Sequence, residues 1–228
     1  MELTGEYMDF FIDTNVALGF SIIPDKWHDK SRVFFEENLD KDIYWSNLVK
    51  EEYLEKSIYI ALLIRDFLQK IQYILENSNK RFINIYEFED FIMKKTEDCK
   101  LDRSKKRNIL QHFCDSYNIN FMDVNQLCSK FESFSDIFFR FYLDLDEDLK
   151  NRILLHNCGL DNYLKYIDYA KRLYDMGVHS PDCKILVDAY DLSLISSQLT
   201  FVSFDEKLMN ILLKGDVSFL NVIEFKSC

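Results

Sequence analysis

The 228-residue chain holds only two prolines and five glycines, has no Cys-x-x-Cys or His-x-x-x-His pair, and its longest uninterrupted apolar run is Ile58 to Ile64. Each scarcity excludes something. The apolar run is far shorter than the roughly 18 residues a membrane span needs. Met1 to Asp9 also lacks the basic start and apolar core of a secretory signal, so the expectation is a cytoplasmic protein with no membrane partner. The cysteines at 99, 114, 128, 158, 183 and 228 and the histidines at 28, 112, 156 and 179 are scattered. Without close pairs they give no spacing signal for zinc or redox chemistry, and the thiols read as free. Positive charge is short as well: 28 lysines and arginines stand against 39 aspartates and glutamates, a net charge of −11. That balance disfavours a general nucleic-acid coat, while a local basic patch or a bound divalent metal could still attract a phosphate backbone.

Hydrophobic residues make up 48% of the chain and aromatics 15%, enough for a sizeable globular core. The most informative stretch is Met8 to Asn15. Phe10, Phe11 and Ile12 form the short apolar run of a buried strand, which ends abruptly in Asp13. In open α/β sheets the ligand site lies just beyond the carboxyl ends of the parallel strands, so an acid there stands where chemistry usually happens. The plain alternative is that Asp13, Thr14 or Asn15 caps the following helix.

Pro24 and Asp25 open a segment whose Trp27, Val33, Phe34 and Phe35 share an amphipathic face, and 40 to 42 reads as a turn. Ile43 to Trp45 is a second strand, and Ser46 with Asn47 can cap a helix from about Leu48. That helix carries Glu51, Glu52 and Glu55 early, where the helix dipole favours acids; either Glu51 or Glu52 could face inward. From about 57 to 170 proline is absent and glycine nearly so. Apolar residues recur at three- and four-residue steps, as in Ile60, Leu63, Ile64, Phe67, Leu68, Ile71 and Ile74, in Phe88, Phe91 and Ile92, and in Ile137, Phe138, Phe141 and Tyr142. This middle reads as mostly helical, with its aromatics as core rather than base-stacking platforms. Lys94 to Arg107 is the one basic concentration. A solvated helix face explains it, and Lys105, Lys106 and Arg107 are the weak candidates for a phosphate contact.

Alternation of strand and helix returns towards the end. Gly177 is placed to end a helix, Ser180 and Pro181 start another, and Asp182 shares a face with Ile185, Leu186 and Ala189, pointing towards the sheet. Asp188 lies off that face and reads as a surface charge. Leu199 to Ser203 is a strand followed at once by Asp205, and 217 to 225 reads as the last strand. Asp13 and Asp205 thus follow strands, while Glu52 and Asp182 begin helices, and a parallel sheet gathers such positions on one edge. Convergent carboxylates repel unless a cation sits among them, and hard oxygen donors suit Mg²⁺ or Mn²⁺.

Phe-Phe-Ile-Asp-Thr-Asn (10 to 15), Tyr-Trp-Ser-Asn-Leu-Val-Lys-Glu-Glu (44 to 52), His-Ser-Pro-Asp-Cys-Lys-Ile-Leu-Val-Asp-Ala (179 to 189) and Thr-Phe-Val-Ser-Phe-Asp (200 to 205) resemble, in order, the acidic motifs of PIN-domain proteins. The resemblance implies a three-layer α/β/α sandwich with a mostly parallel central sheet. It also implies a metal-dependent endoribonuclease cutting single-stranded or structured RNA. By position, Asp13, Glu52, Asp182 and Asp205 would be the catalytic and metal-binding acids, Asn15 and Ser203 their supports, and Glu51 and Asp188 fallbacks. It covers 1–56 and 171–228, leaving 57–170 as a helical insertion. A second reading keeps the fold without turnover, as a module that docks RNA or protein through that insertion; a protein partner and a homodimer are both left open.

Overall fold

The computed structural model describes residues 8–117, 119, 122–159, 162–196, 198–215, 217 and 223–227. Its elements begin with β1 (Asp9–Ile12), α1 (Thr14–Ser21), α2 (His28–Glu37), β2 (Ile43–Ser46), α3 (Asn47–Glu76), β3 (Arg81–Phe82), α4 (Ile85–Lys95) and α5 (Arg103–Tyr117). They continue with β4 (Met122–Asp123), α6 (Val124–Arg152), β5 (Ile153–His156), α7 (Asn162–Lys165), α8 (Ile167–Asp175), α9 (Asp182–Ser193), β6 (Leu199–Ser203), α10 (Glu206–Lys214) and β7 (Ile223–Ser227). Two compact units result: one from Met1–Phe20, Trp27–Glu55 and Asp148–Cys228, the other from Ser21–Lys26 and Lys56–Glu147.

The first unit is built on a sheet in the order β5-β2-β1-β6-β7, in which every pairing is parallel. Phe10 lies opposite Ile43 and Thr200, Ile12 opposite Val202, and Ser46 opposite His156. Parallel strands buried on both faces need continuous apolar runs rather than alternation, which is what Phe10, Phe11 and Ile12 supply. All three are buried, as are Trp45, Phe201 and Val202, and the Phe11 and Phe201 rings stack at 6.2 Å. Each such side chain stabilises the fold by about 1.5–3 kcal/mol. Strand order runs outward from β1 in both directions, so the gap between β1 and β6 is the switch point of the sheet, where ligands bind in open α/β folds.

Helix α8 ends where the sequence placed its stop: Gly177 has φ +93°, a left-handed conformation open to glycine, and Val178 N donates to Leu173 O at 2.9 Å. One expectation fails in this region. The expected, mostly helical insertion of 57–170 takes in Ile153–His156, yet these residues form β5 and pair with β2, so the sheet-bearing unit resumes at Asp148 rather than at 171. The signal was weak because β5 is a four-residue edge strand with Leu154 and Leu155 exposed, and Ile-Leu-Leu fits either period. Ile223–Ser227 forms the last strand, and residues 218–222 of the expected span 217 to 225 lie outside those described.

The second unit is helical, apart from the antiparallel pair β3 and β4. The scarcity of proline and glycine shows in α3, which runs 30 residues, and α6, which runs 29. Aromatics form the core, as expected: Phe113 meets Phe131 at 5.0 Å, Phe134 at 5.3 Å and Phe88 at 6.1 Å. The third stripe is shifted, with Phe138 buried but Ile137 and Phe141 exposed.

Three members of the basic run have partners within this unit, and the burial of Lys106 departs from a wholly solvated face. Lys106 is buried and its ammonium donates to Thr96 O at 2.6 Å and Cys99 O at 2.9 Å, capping the carbonyls that follow α4. Lys105 pairs with Asp25 at 2.8 Å and Asp102 at 3.5 Å, and Arg107 reaches Glu89 at 3.0 Å. No helix among the described residues is long and apolar enough to cross a membrane.

Candidate functional site

Strand β1 delivers Asp13 to the switch point, its amide held by Val202 O of β6 at 3.0 Å. The side chain is buried, 5% exposed, and acts only as an acceptor. Oδ1 accepts from Thr14 N at 2.6 Å; Oδ2 accepts from Asn15 Nδ2 at 2.7 Å and Ser203 Oγ at 2.8 Å. Asn15 bridges two strand ends, because its Oδ1 accepts from Phe204 N at 2.9 Å while its Nδ2 serves Asp13. Those opposite roles fix the orientation of the amide. The Ser203 hydroxyl accepts from Asp205 N at 3.1 Å and Asn15 Nδ2 at 3.2 Å, leaving its proton for Asp13. Asn15 and Ser203 therefore stand as supports of Asp13.

The charges of two further acids act on it. Thr14 Oγ1 donates to Glu52 Oε2 at 2.6 Å, turning that glutamate of α3 towards the end of β1. Asp182 is half-buried in the first turn of α9. The Asp13 carboxyl is pushed from 3.8 up to about 7, by burial first and then by the Asp182 and Glu52 charges, against the hydrogen bonds from Ser203 and Thr14 that oppose the rise. Among the described residues no lysine or arginine forms an ion pair with Asp13. A buried carboxylate that gathers donors, two other acids and no cation is an environment a bound cation would relieve. The all-oxygen donor set fits Mg²⁺ or Mn²⁺.

Asp205 is different. It is the N-cap of α10, exposed, and its Oδ1 accepts from Lys207 N at 2.8 Å and Leu208 N at 3.0 Å. Of the two glutamates at the start of α3, Glu52 is the one bonded beside Asp13. Glu51 is exposed and lines a separate cleft of about 460 Å³ with Asn47, Cys158, Lys184 and Asp188. Asp188 corrects its reading as a surface charge: it is 8% exposed and its Oδ1 accepts from Asn162 Nδ2 at 3.2 Å. α9 is covered on several sides because α7 and α8 pack on it as well as β2 and β6, so a wheel that assumes one buried face misplaces Asp188.

No family model matches the chain, and no curated protein or solved structure matches it either. The case for function rests on the residues themselves.

Sequence reasoning missed a group that the fold assembles at the end of β5. His156, Cys158 and Asp191 place one ligand atom each within 4.8 Å of one another, the one such group of three or more among the described residues. Burial first, then the Asp188 and Asp191 carboxylates, push the Cys158 thiol well above its usual value. Burial opposes ionisation of Asp191, but hydrogen bonds from Tyr166, Lys165 and His156 outweigh it and hold that carboxyl below 3.8. The signal available was His-x-Cys after an apolar triplet, whose third member lies 35 residues on.

Proposed function

We propose that the chain is a PIN-type endoribonuclease, a three-layer α/β/α domain with a helical insertion, in which Asp13, Glu52, Asp182 and Asp205 hold one or two Mg²⁺ or Mn²⁺ ions. The observation that carries this reading is the buried Asp13 carboxyl at the β1/β6 switch point, raised to about 7 by burial and by two neighbouring acids. Such an ion, when bound, supplies activation of water and charge compensation for a phosphodiester. The chain's own residues prepare for it. Ser203 and Asn15 aim Oδ2 of Asp13, and Thr14 holds its Oδ1 through the backbone and aims Glu52 through its hydroxyl.

The test is cleavage of single-stranded RNA with Mn²⁺ by the wild type and by Asp13→Asn. Cutting by the wild type alone, abolished by chelator, is the expected result; equal cutting by both would overturn the assignment. Asp205 favours a second reading, a PIN-fold binding module, since one of its oxygens is spent on the start of α10. Mn²⁺ binding without hydrolysis would decide for it.

A further inference from the structure

We propose that His156, Cys158 and Asp191 form a second metal site, distinct from the acidic one and suited to Zn²⁺, with Asp188 as the further oxygen donor beside the thiol. The donors are mixed nitrogen, sulfur and oxygen, the set that zinc takes and that magnesium and calcium do not. Their spacing fits: His156 Nε2 and Asp191 Oδ2 are 3.2 Å apart, and two ligands at zinc bond lengths on a tetrahedron lie about 3.3 Å apart.

The surroundings are those of a carboxylate prepared for one ligand bond. Oδ1 of Asp191 is taken by Tyr166 Oη at 2.7 Å and by Lys165 Nζ at 3.2 Å, which leaves Oδ2 turned towards His156. Asp188 precedes Asp191 by one turn of α9, on the same side of the helix, and its charge acts on the Cys158 thiol. Asn162 Nδ2 anchors Oδ1 of Asp188 at 3.2 Å in the same way. His156 closes β5 and Cys158 follows in the turn, its amide donating to His156 O at 3.0 Å, so backbone geometry sets the two side chains. Cys158 and Asp188 also line the 460 Å³ cleft, which provides the entry path a metal needs. On binding, a metal–sulfur bond replaces the Cys158 S–H bond and the thiol proton leaves to solvent. Zn²⁺ and Co²⁺ undergo no change of oxidation state.

Titrating the full chain with Co²⁺ under reducing conditions reads the site directly. One equivalent should give a thiolate-to-cobalt charge-transfer band in the near ultraviolet with strong visible bands of a tetrahedral ion, both lost when Zn²⁺ displaces Co²⁺. Cys158→Ser should lose the charge-transfer band, and His156→Ala or Asp191→Asn should weaken Co²⁺ binding at least tenfold. Asp13→Asn should leave the band in place, which separates this site from the acidic one. If the wild type shows no charge-transfer band at a tenfold excess of Co²⁺, or if the band survives in Cys158→Ser, the proposal falls. The wild-type titration stands even if a variant does not fold.

Discussion

Asp13→Asn should reverse the sign of its effect on stability with pH. In the folded chain the carboxyl titrates at about 7 against 3.8 in the open, so the native state holds a proton that the unfolded state has released. Between about pH 4 and 7 the native state binds more protons, and its stability falls as pH rises. At about 1.4 kcal/mol for each tenfold change in protonation, the carboxylate costs the apo fold about 4 kcal/mol by pH 8. Asparagine carries no charge and escapes that cost. It brings another, because the protonated carboxyl has a single donor and keeps acceptor capacity on both oxygens, whereas the amide nitrogen only donates. If the amide oxygen faces Asn15 and Ser203, its nitrogen meets Thr14 N, donor against donor. If it is reversed, the nitrogen meets Asn15 Nδ2, which cannot flip while its Oδ1 holds Phe204 N. One buried donor left without an acceptor costs about 1–3 kcal/mol.

The two effects predict a variant less stable than wild type by about 1–3 kcal/mol at pH 4 and more stable by a similar amount at pH 8, crossing near pH 5. Urea unfolding in chelator, followed by tryptophan fluorescence at half-unit pH steps, measures this. Trp27 and Trp45 are the only tryptophans, and both belong to the unit that contains Asp13, so the signal reports that unit. A stability difference that stays flat from pH 4 to 8, or a variant weaker at every pH, would show that Asp13 ionises without cost and would remove the main argument for a cation there.

Saturating Mn²⁺ at a hundred times its Kd should stabilise the wild type by about 2.7 kcal/mol and leave Asp13→Asn unmoved, as thermal shifts would show. Asp205→Asn keeps an N-cap for α10, so it should hold stability within about 0.5 kcal/mol; a loss of Mn²⁺ affinity in calorimetry would then isolate Asp205 as a ligand, and unchanged affinity would strike it from the set. Ser203→Ala removes the hydroxyl that supports the charged form of Asp13, so urea midpoints should drop more at pH 8 than at pH 4. Lys106→Met strands one buried and one half-buried carbonyl and should cost about 1–3 kcal/mol while leaving RNA affinity and its salt dependence as they were; weaker RNA binding in a filter assay would mark the basic run as a contact.

The fold was legible where one local rule decides a segment. β1, β2 and β6 are apolar runs cut off by an acid or a small polar residue, and a buried parallel strand admits little else. The length of α3 and α6 follows from a stretch with nothing to stop a helix. β5 was hidden because an edge strand is specified by its one neighbour, β2, and its own leucines face outward. Asp188 was misjudged for a related reason: α7 and α8 cover sides of α9 that the sequence pattern leaves to solvent.

The same missing strand separates the two sites in legibility. Asp13, Glu52 and Asp182 follow elements that the sequence identifies, so their neighbourhood could be read from chain order and the habit of parallel sheets to gather strand ends on one edge. His156 and Cys158 follow β5, and with β5 read as insertion they had no place on that edge. Restoring it sets Ser46 opposite His156, at the same end of the sheet as Asp13. The sheet then carries two donor sets of different hardness: oxygens beside β1, and nitrogen, sulfur and oxygen beside β5. Ligand softness sorts metals between such sites, so Mn²⁺ should protect the wild type but not Asp13→Asn, and Co²⁺ should bind through sulfur in both. A single variant that abolished both responses would mean one shared site, and would count against the separation argued from β5.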